Sequence, residues 1–118
     1  MPYCSEKNNV DCDCCNIIQR GTTTRNIFEV EKDLTDASEI YVSYEQSGKV
    51  VVEKTLENGV SIVSEEQITV DLTQDDTLAL NEHYPVKMQI RAKFPSGSAV
   101  ASFTMSASVG EILKEGAI

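Results

Sequence analysis

Four cysteines near the start of the chain are the residues best suited to chemistry. Cys4, Cys12, Cys14 and Cys15 follow the spacing C-x7-C-x-C-C. Four thiolates can bind one zinc ion tetrahedrally, but zinc sites usually carry a C-x-x-C pair, which this segment lacks. In an oxidising compartment the same residues could form disulfides or link chains. Three interpretations therefore stay open: reduced thiols, a zinc site, and disulfides or intermolecular links.

Two other groups of titratable residues have simpler interpretations. An acidic cluster could bind calcium, but it lacks the ligand spacing and the glycine of an EF-hand loop. We expect it to cap a helix and to form a solvated surface. His83 stands in the sequence N-E-H-Y-P, with no recognisable nucleophile nearby, so we expect a surface turn rather than a catalytic base. The acidic cluster comprises Glu65, Glu66, Asp71, Asp75 and Asp76.

The charges are unevenly distributed along the chain. The net charge is −9, and residues 29–82 contain fourteen acidic and three basic residues. Residues 83–110 contain Lys87, Arg91 and Lys93 and no acidic residue. Duplex nucleic acid repels a chain of this charge, so we expect no nucleic-acid partner.

The three cations of residues 83–110 are candidates for an interaction surface. The plain alternative is that they form the solvated side of one strand. A cationic row in one part of the chain and acidic residues in another would allow identical copies to assemble head to tail. Complementary charges of this kind set the register of a contact and speed encounter. The sequence therefore predicts contacts with other proteins, with copies of this chain, or with both.

Length and composition restrict the class of protein. The chain has 118 residues, enough for one domain with its own core. Aromatic residues make up 6% and tryptophan is absent, which disfavours a surface that stacks sugars or single-stranded nucleic acid. No apolar run is long enough to cross a membrane, and the first residues do not resemble a signal peptide. We expect no membrane partner and a location in a reducing cytoplasm, unless the protein leaves in a larger assembly.

Alternating apolar and polar residues predict an all-β fold. Residues 1–20 hold all four cysteines and are predicted to form an appendage, and residues 21–118 to form one domain. About seven strands with one short helical turn favour an immunoglobulin-like antiparallel β-sandwich. The inter-sheet disulfide and buried tryptophan of antibody domains are absent from the sequence, so burial of apolar side chains must hold the sheets together.

Three local patterns in this domain are well defined. Ser47-Gly48 predicts a tight hairpin turn, and Thr73 with Asp76 predicts a capping box at a helix start. In residues 86–94 the even-numbered residues are apolar and alternate with Lys87, Gln89, Arg91 and Lys93, so a one-residue slip would bury three cations. After a turn at 95–98, one long strand is predicted to turn its odd-numbered residues inward, from Ala99 to Val109.

The C-terminal segment contains two apolar residues that could lie either in the core or on the surface. Ile112 and Leu113 lie in a segment too short to form a stable isolated helix. They either complete the last strand against the core or become ordered on a neighbouring protein. Both interpretations stay open, and the two residues are predicted interaction residues.

Five segments in this order resemble a known group of proteins. They are I-Q-R-G-T-T at 18–23, the hairpin at 40–49, the capped turn at 70–78, the hairpin of 86–91 with 99–102, and V-G-E-I-L-K-E-G at 109–116. The ordering resembles short prophage-encoded proteins of Gram-positive gut bacteria, often encoded near tail or other virion genes. The resemblance covers residues 17–118 and leaves the cysteines unexplained.

The resemblance implies a function without catalysis. It implies a phage structural or assembly-associated protein that contacts other phage proteins, with no catalytic residues and no cofactor. Such a protein would be present in the bacterial cytoplasm during assembly, with the virion as a second candidate location. The alternative prediction is a metal- or redox-responsive binding module in which the four cysteines act, with zinc as the one candidate cofactor.

Overall fold

Nine β-strands and one short helix form the part of the chain that the structure describes. The structure is a computed structural model, and it describes residues 17–118. The elements are β1 (Ile17–Gln19), β2 (Thr24–Glu29), β3 (Glu39–Gln46), β4 (Lys49–Thr55), β5 (Val60–Ser64), β6 (Gln67–Leu72), α1 (Gln74–Leu78), β7 (Val86–Lys93), β8 (Ala99–Ala101) and β9 (Met105–Gly110).

The strands form two sheets. The larger sheet has the order β1-β9-β7-β3-β4, with β8 also paired to β7, and the smaller sheet has the order β2-β6-β5. This division, with β3, β7 and β9 in one sheet and β2, β5 and β6 in the other, is the strand distribution of an immunoglobulin-like sandwich. The predicted all-β, immunoglobulin-like fold is confirmed.

The core lies between the two sheets and consists of aliphatic side chains from both. Val42 of β3, Val70 of β6 and Val86 of β7 are fully buried. Tyr44 of β3 is also fully buried, and its hydroxyl donates a hydrogen bond to Asn26 Oδ1 of β2 at 2.7 Å. This contact ties the two sheets together through one polar bond in an apolar interior.

Replacing Tyr44 with phenylalanine is expected to destabilise the fold by about 1–2 kcal/mol, because it removes a buried hydrogen bond and leaves the Asn26 amide oxygen without its donor. Tyr41 on the same strand offers a matched control, since its hydroxyl bonds to Glu39 on an exposed face. We expect Tyr41→Phe to change the free energy of unfolding by about 0.5 kcal/mol or less. Urea denaturation measures both, and equal effects of the two variants would contradict this prediction.

The three local patterns of the sequence occur as predicted. Ser47 and Gly48 both have positive φ angles, 54° and 82°, as a type I′ hairpin turn requires. Thr73 caps α1, and its side chain and that of Asp76 form the reciprocal capping box. Along β7, Val86, Met88, Ile90 and Ala92 are buried.

The predicted long strand after residue 98 is wrong in its first half. It is divided into β8 and β9, and both pair with β7. Arg91 pairs with Ala101, whereas Met88 pairs with Met105, so Gln89 and Ile90 face the three residues 102–104. One extra residue in a strand is a β-bulge, and it reverses which residues face inward. Ala99, Ala101 and Phe103 are therefore exposed, and Phe103 is 88% exposed.

Ser102 stabilises this bulge. Its hydroxyl accepts a hydrogen bond from the Ile90 backbone N–H at 3.0 Å, and its own backbone N–H donates to the Ile90 carbonyl at 2.8 Å. Ser102 thus takes both backbone bonds of Ile90, with its hydroxyl in place of the backbone carbonyl that a regular antiparallel pair would use. A serine among other small residues carries no local signal of this role, which is why alternation alone did not reveal the bulge.

The sandwich also begins earlier than the predicted boundary at residue 21. β1 lies within the predicted appendage and pairs in parallel with β9, with Ile18 opposite Val109. Ile18 is only 1% exposed, so it belongs to the core. The additional β1 and the division of the last strand explain why nine strands occur in residues 17–118 instead of about seven.

Candidate protein-interaction face

The outer face of the larger sheet carries the cations that the sequence singled out. Lys87, Arg91 and Lys93 are exposed on β7, because the residues between them face the core. β7 lies in the interior of the sheet, between β3 on one side and β8 and β9 on the other. The cations therefore form a straight row along the middle of a broad face, which we call the cation row.

An acidic row lies directly beside the cation row. β3 pairs antiparallel with β7, and the register places Glu45 opposite Lys87, Tyr41 opposite Arg91 and Glu39 opposite Lys93. Opposed side chains on neighbouring strands have Cβ atoms about 4.5–5.5 Å apart. Glu39, Tyr41 and Glu45 thus form a second row, the acid row, parallel to the first.

The two rows are bordered by side chains of different character. On the side of β3, the neighbouring strand β4 adds Glu53, which lies opposite Ser43. On the side of β7, Ala101 lies opposite Arg91 and Ser106 opposite Lys87. Charge therefore changes across the face, from acidic through basic to neutral, while the charged residues along each strand keep one sign.

The cation row has no ion pair of its own within residues 17–118. The cations that do pair there are Arg20 with Glu82 and Glu115, Arg25 with Asp71, and Lys54 with Asp76. In the acid row, the Tyr41 hydroxyl donates to Glu39 Oε1 at 3.0 Å, and this bond together with the charge of Glu39 raises the pKa of Tyr41. As far as residues 17–118 are concerned, the exposed ammonium and guanidinium groups are therefore open to carboxylates of another molecule.

The two predicted interaction residues of the tail differ in their surroundings. Ile112 is half-buried and lies against Gly21, where a β-carbon added to the glycine would meet Ile112 Cδ1 at 3.1 Å. Leu113 is 98% exposed. Of the two interpretations of the tail, packing against the domain applies to Ile112, because its side chain is half-buried. Leu113 instead lies exposed to solvent.

Arg20 secures this tail against α1, a role that the sequence analysis missed. Its guanidinium contacts Glu82 at 3.1 Å and Glu115 at 3.2 Å, and it donates to the Leu78 carbonyl at 3.1 Å. Gln74 of α1 bonds to both backbone polar groups of Ile118. An arginine in a turn gives no local sign of such a role, because its partners are about 60 and 95 residues away.

The other candidate residues have structural surroundings or lie outside the described part. Asp76 caps α1, Asp71 pairs with Arg25 at 2.7 Å, and His83 is exposed in the turn after α1. Within residues 17–118, no three histidine, cysteine, aspartate or glutamate side chains are grouped so that they could hold a metal ion. Cys4, Cys12, Cys14 and Cys15 lie outside the described residues, and the zinc and redox interpretations stay predictions.

Comparison with known proteins adds little to this geometry. The sequence matches no protein-family model and none of the curated proteins. Among solved structures, the chain is similar to the V domain of amphioxus IgVJ-C2, with 13% sequence identity and a TM-score of 0.34, over 80% of this chain and 98% of that one. The immunoglobulin-like assignment rests on the strand order described above. The one helix in residues 17–118, α1, is not long and apolar enough to span a membrane.

Proposed function

We propose that this chain is a non-enzymatic protein-interaction domain that pairs with a second copy of itself through the outer face of the larger sheet. The observation that supports the proposal is the register of β3 on β7, which sets Glu45 beside Lys87 and Glu39 beside Lys93. The cation row and the acid row are thus parallel, adjacent and on one face.

Two parallel rows of opposite charge are complementary to themselves. A two-fold axis that runs along the strands, between β3 and β7, would bring the cation row of one copy over the acid row of the other. The same rotation keeps the position along the strand, so Lys87 would meet the partner copy's acid row at the level of Glu45. A contact of this kind uses the same surface on both copies and closes as a dimer. It differs from the head-to-tail contact that the linear charge distribution suggested.

The finer proposal concerns the setting in which this domain acts. The resemblance of residues 17–118 to prophage-encoded proteins supports a role in a phage virion or its assembly, with phage structural proteins as further partners. The cytoplasm of the bacterium and the virion would then be its locations. Pull-down with the proteins encoded by the neighbouring genes tests this part of the proposal separately from self-association.

Charge reversal on each row is the direct test of self-association. Lys87→Glu with Arg91→Glu is expected to weaken the dimer at least about tenfold, because two like-charged rows then face each other. Glu39→Lys with Glu45→Lys is expected to do the same. An equimolar mixture of the two double variants should associate again, since each row then meets its opposite. Sedimentation velocity measures the association of each variant. The experiment is run at about 0.1 M salt, which screens the net charge at a distance but not the charges of two rows in contact.

A matched control separates this effect from a general change in charge. Lys32→Glu with Lys114→Glu changes the net charge by the same amount away from the two rows, and we expect it to leave association unchanged. Circular dichroism checks that each variant is folded. A chain that stays monomeric up to about 1 mM, or double variants that fail to associate when mixed, would refute the proposed dimer.

A further inference from the structure

An apolar groove opens between the two sheets where β2 ends. It has a volume of about 420 Å³ and is lined by residues of both sheets and of the segment after β2. Val30 and Leu34 line it on one side, and Val100 and Met105 line it on the other, with the buried Ile90 at its base. Residues 17–118 therefore leave part of the apolar interior open at this edge of the sandwich.

Phe103 lies beside this groove and extends into solvent. It is one of the lining residues, yet its side chain is 88% exposed. The Ser102 hydroxyl donates a hydrogen bond to the Phe103 carbonyl at 2.8 Å, which holds the backbone of the bulge that presents the ring. An exposed aromatic side chain beside an apolar groove is typical of a protein-binding site, because aromatic residues in such pockets contribute much of the binding energy.

Two strand edges border the groove. Within residues 17–118, β2 pairs only with β6, and β8 pairs only with β7. Each strand thus presents backbone N–H and C=O groups to one side, which is the template for an added strand. An extended peptide could bond to one of these edges while its alternate side chains enter the groove.

Four glutamates lie at the end of β2 that borders the groove. Glu29 and Glu31 line the groove itself. Glu65 and Glu66 lie in the turn between β5 and β6, and the Val30 N–H donates to the Glu66 carbonyl at 2.8 Å, so this turn lies beside the end of β2. All four glutamates are exposed, and none of them forms an ion pair with another residue of 17–118. We call these four residues the glutamate rim.

The charge of the glutamate rim restricts what can cover the groove. Lys32 is the one cation among the lining residues, and its ammonium group lies 5.4 Å from the centre of the Phe94 ring. Four carboxylates and one ammonium group leave a net charge of −3 here. An acidic ligand would be repelled, whereas a ligand with lysine or arginine side chains would be complementary.

We propose that this groove binds an extended segment of a partner protein, in which apolar side chains alternate along the segment and lysine or arginine residues flank them. The apolar side chains would occupy the groove, and the cations would meet the glutamate rim. Neither end of this chain has the complementary charge, since residues 1–16 hold three acidic residues and one lysine, and residues 111–118 hold two acidic residues and one lysine. The inference does not rest on the proposed dimer, because the groove and the glutamate rim contain no residue of the cation row or the acid row.

Binding of synthetic peptides to the full chain, measured by fluorescence anisotropy, tests the proposal. The probe is a peptide with three valines at alternate positions, threonine between them and two lysines at each end. We expect it to bind at least about tenfold more tightly than the same peptide with glutamate in place of lysine. Serine in place of the three valines should also weaken binding at least about tenfold, because the groove is apolar.

Charge variants of the chain locate the binding site at the glutamate rim. Glu29→Lys with Glu31→Lys is expected to reverse the preference, so that the peptide with glutamate ends binds more tightly. Glu57→Lys with Glu111→Lys makes the same change of charge at exposed residues that do not line the groove, and should keep the original preference. Circular dichroism checks that each variant is folded.

A second pair of variants tests the apolar part of the site. Phe103→Ser is expected to weaken binding of the lysine peptide at least about fivefold. Leu113→Ser removes another exposed apolar side chain, which does not line the groove, and should leave binding unchanged.

Three results would overturn the proposal. One is a lysine peptide that does not bind at concentrations up to about 1 mM. Another is equal affinity for the peptides with lysine and glutamate ends, which would remove the charge complementarity. The third is a loss of self-association in sedimentation velocity on Phe103→Ser with no peptide present, which would assign the groove to a second copy of this chain.

Discussion

Asp76→Ala is expected to destabilise the sandwich by about 3–5 kcal/mol, because it leaves a buried ammonium group without its counter-charge. Lys54 Nζ lies 2.6 Å from Asp76 Oδ2, and the Lys54 side chain is only 6% exposed. The same carboxylate accepts the Thr73 backbone N–H at 2.8 Å, so the substitution also removes half of the capping box of α1. Urea denaturation at neutral pH measures the loss.

Removing Lys54, the other partner of this ion pair, should lower the free energy of unfolding much less. Lys54→Met takes away the buried cation and keeps an apolar side chain of similar length, while the more exposed Asp76 retains its capping bond. We expect a cost of about 2 kcal/mol or less, and in the Lys54→Met background Asp76→Ala should cost clearly less than it does alone. Equal effects of Asp76→Ala in both backgrounds would show that the ion pair does not couple the two residues.

The Lys54–Asp76 ion pair makes the free energy of unfolding depend on pH in the acid range. Burial raises the pKa of Asp76, but the hydrogen bonds from Lys54 and Thr73 and the Lys54 charge outweigh it, so its pKa in the folded protein is lowered. A carboxyl with a lowered folded pKa stabilises the fold above its unfolded value, near 4, and that contribution is lost as pH falls through the folded pKa. The stability difference between the unmodified chain and Asp76→Ala should therefore shrink below about pH 4.

Thr77→Val is expected to cost about 2–4 kcal/mol, although valine has almost the same shape as threonine. Thr77 is fully buried, and its hydroxyl accepts the backbone N–H groups of Gly21 at 3.0 Å and Thr22 at 3.2 Å. The same hydroxyl donates a hydrogen bond to the Thr22 carbonyl oxygen at 2.9 Å. The valine variant would leave two backbone donors of half-buried residues without their acceptor beside a fully buried side chain, and each unsatisfied buried group costs about 1–3 kcal/mol.

Serine at the same position separates the hydroxyl from the methyl group. Thr77→Ser keeps all hydroxyl contacts and removes one buried methyl group, so we expect a loss of about 1 kcal/mol. The order of stability should be the unmodified chain, then Thr77→Ser, then Thr77→Val. If thermal denaturation instead finds the valine variant as stable as the serine variant, the hydroxyl does not connect α1 to the turn between β1 and β2.

Much of the local structure follows from the sequence, because short-range chemistry decides it. The alternation along β7 determines which residues face the core, since a shift by one residue would bury Lys87, Arg91 and Lys93. Ser47-Gly48 tolerates the positive φ angles of a type I′ turn, and Thr73 caps the helix that follows it. Each of these features depends on residues a few positions apart.

The candidate site was only half visible in the sequence. The cation row could be derived, because its residues share one strand. The acid row beside it could not, because Glu39, Tyr41 and Glu45 become neighbours of β7 through a pairing that joins residues about fifty positions apart. The sequence showed acidic residues spread over 29–82 and suggested a head-to-tail contact, whereas the pairing of β3 with β7 favours a contact between identical faces.

The sequence by itself determined the all-β class, the inward face of β7, the hairpin at Ser47-Gly48 and the capped helix. The tertiary structure alone decided that β1 joins β9, that a bulge at 102–104 reverses the faces of the last strand, and that Lys54 points inward to meet Asp76. The physical reason is the range of the interactions. Alternation, turn conformation and capping are settled between near neighbours in sequence, while sheet order and buried ion pairs depend on which distant segments pack together.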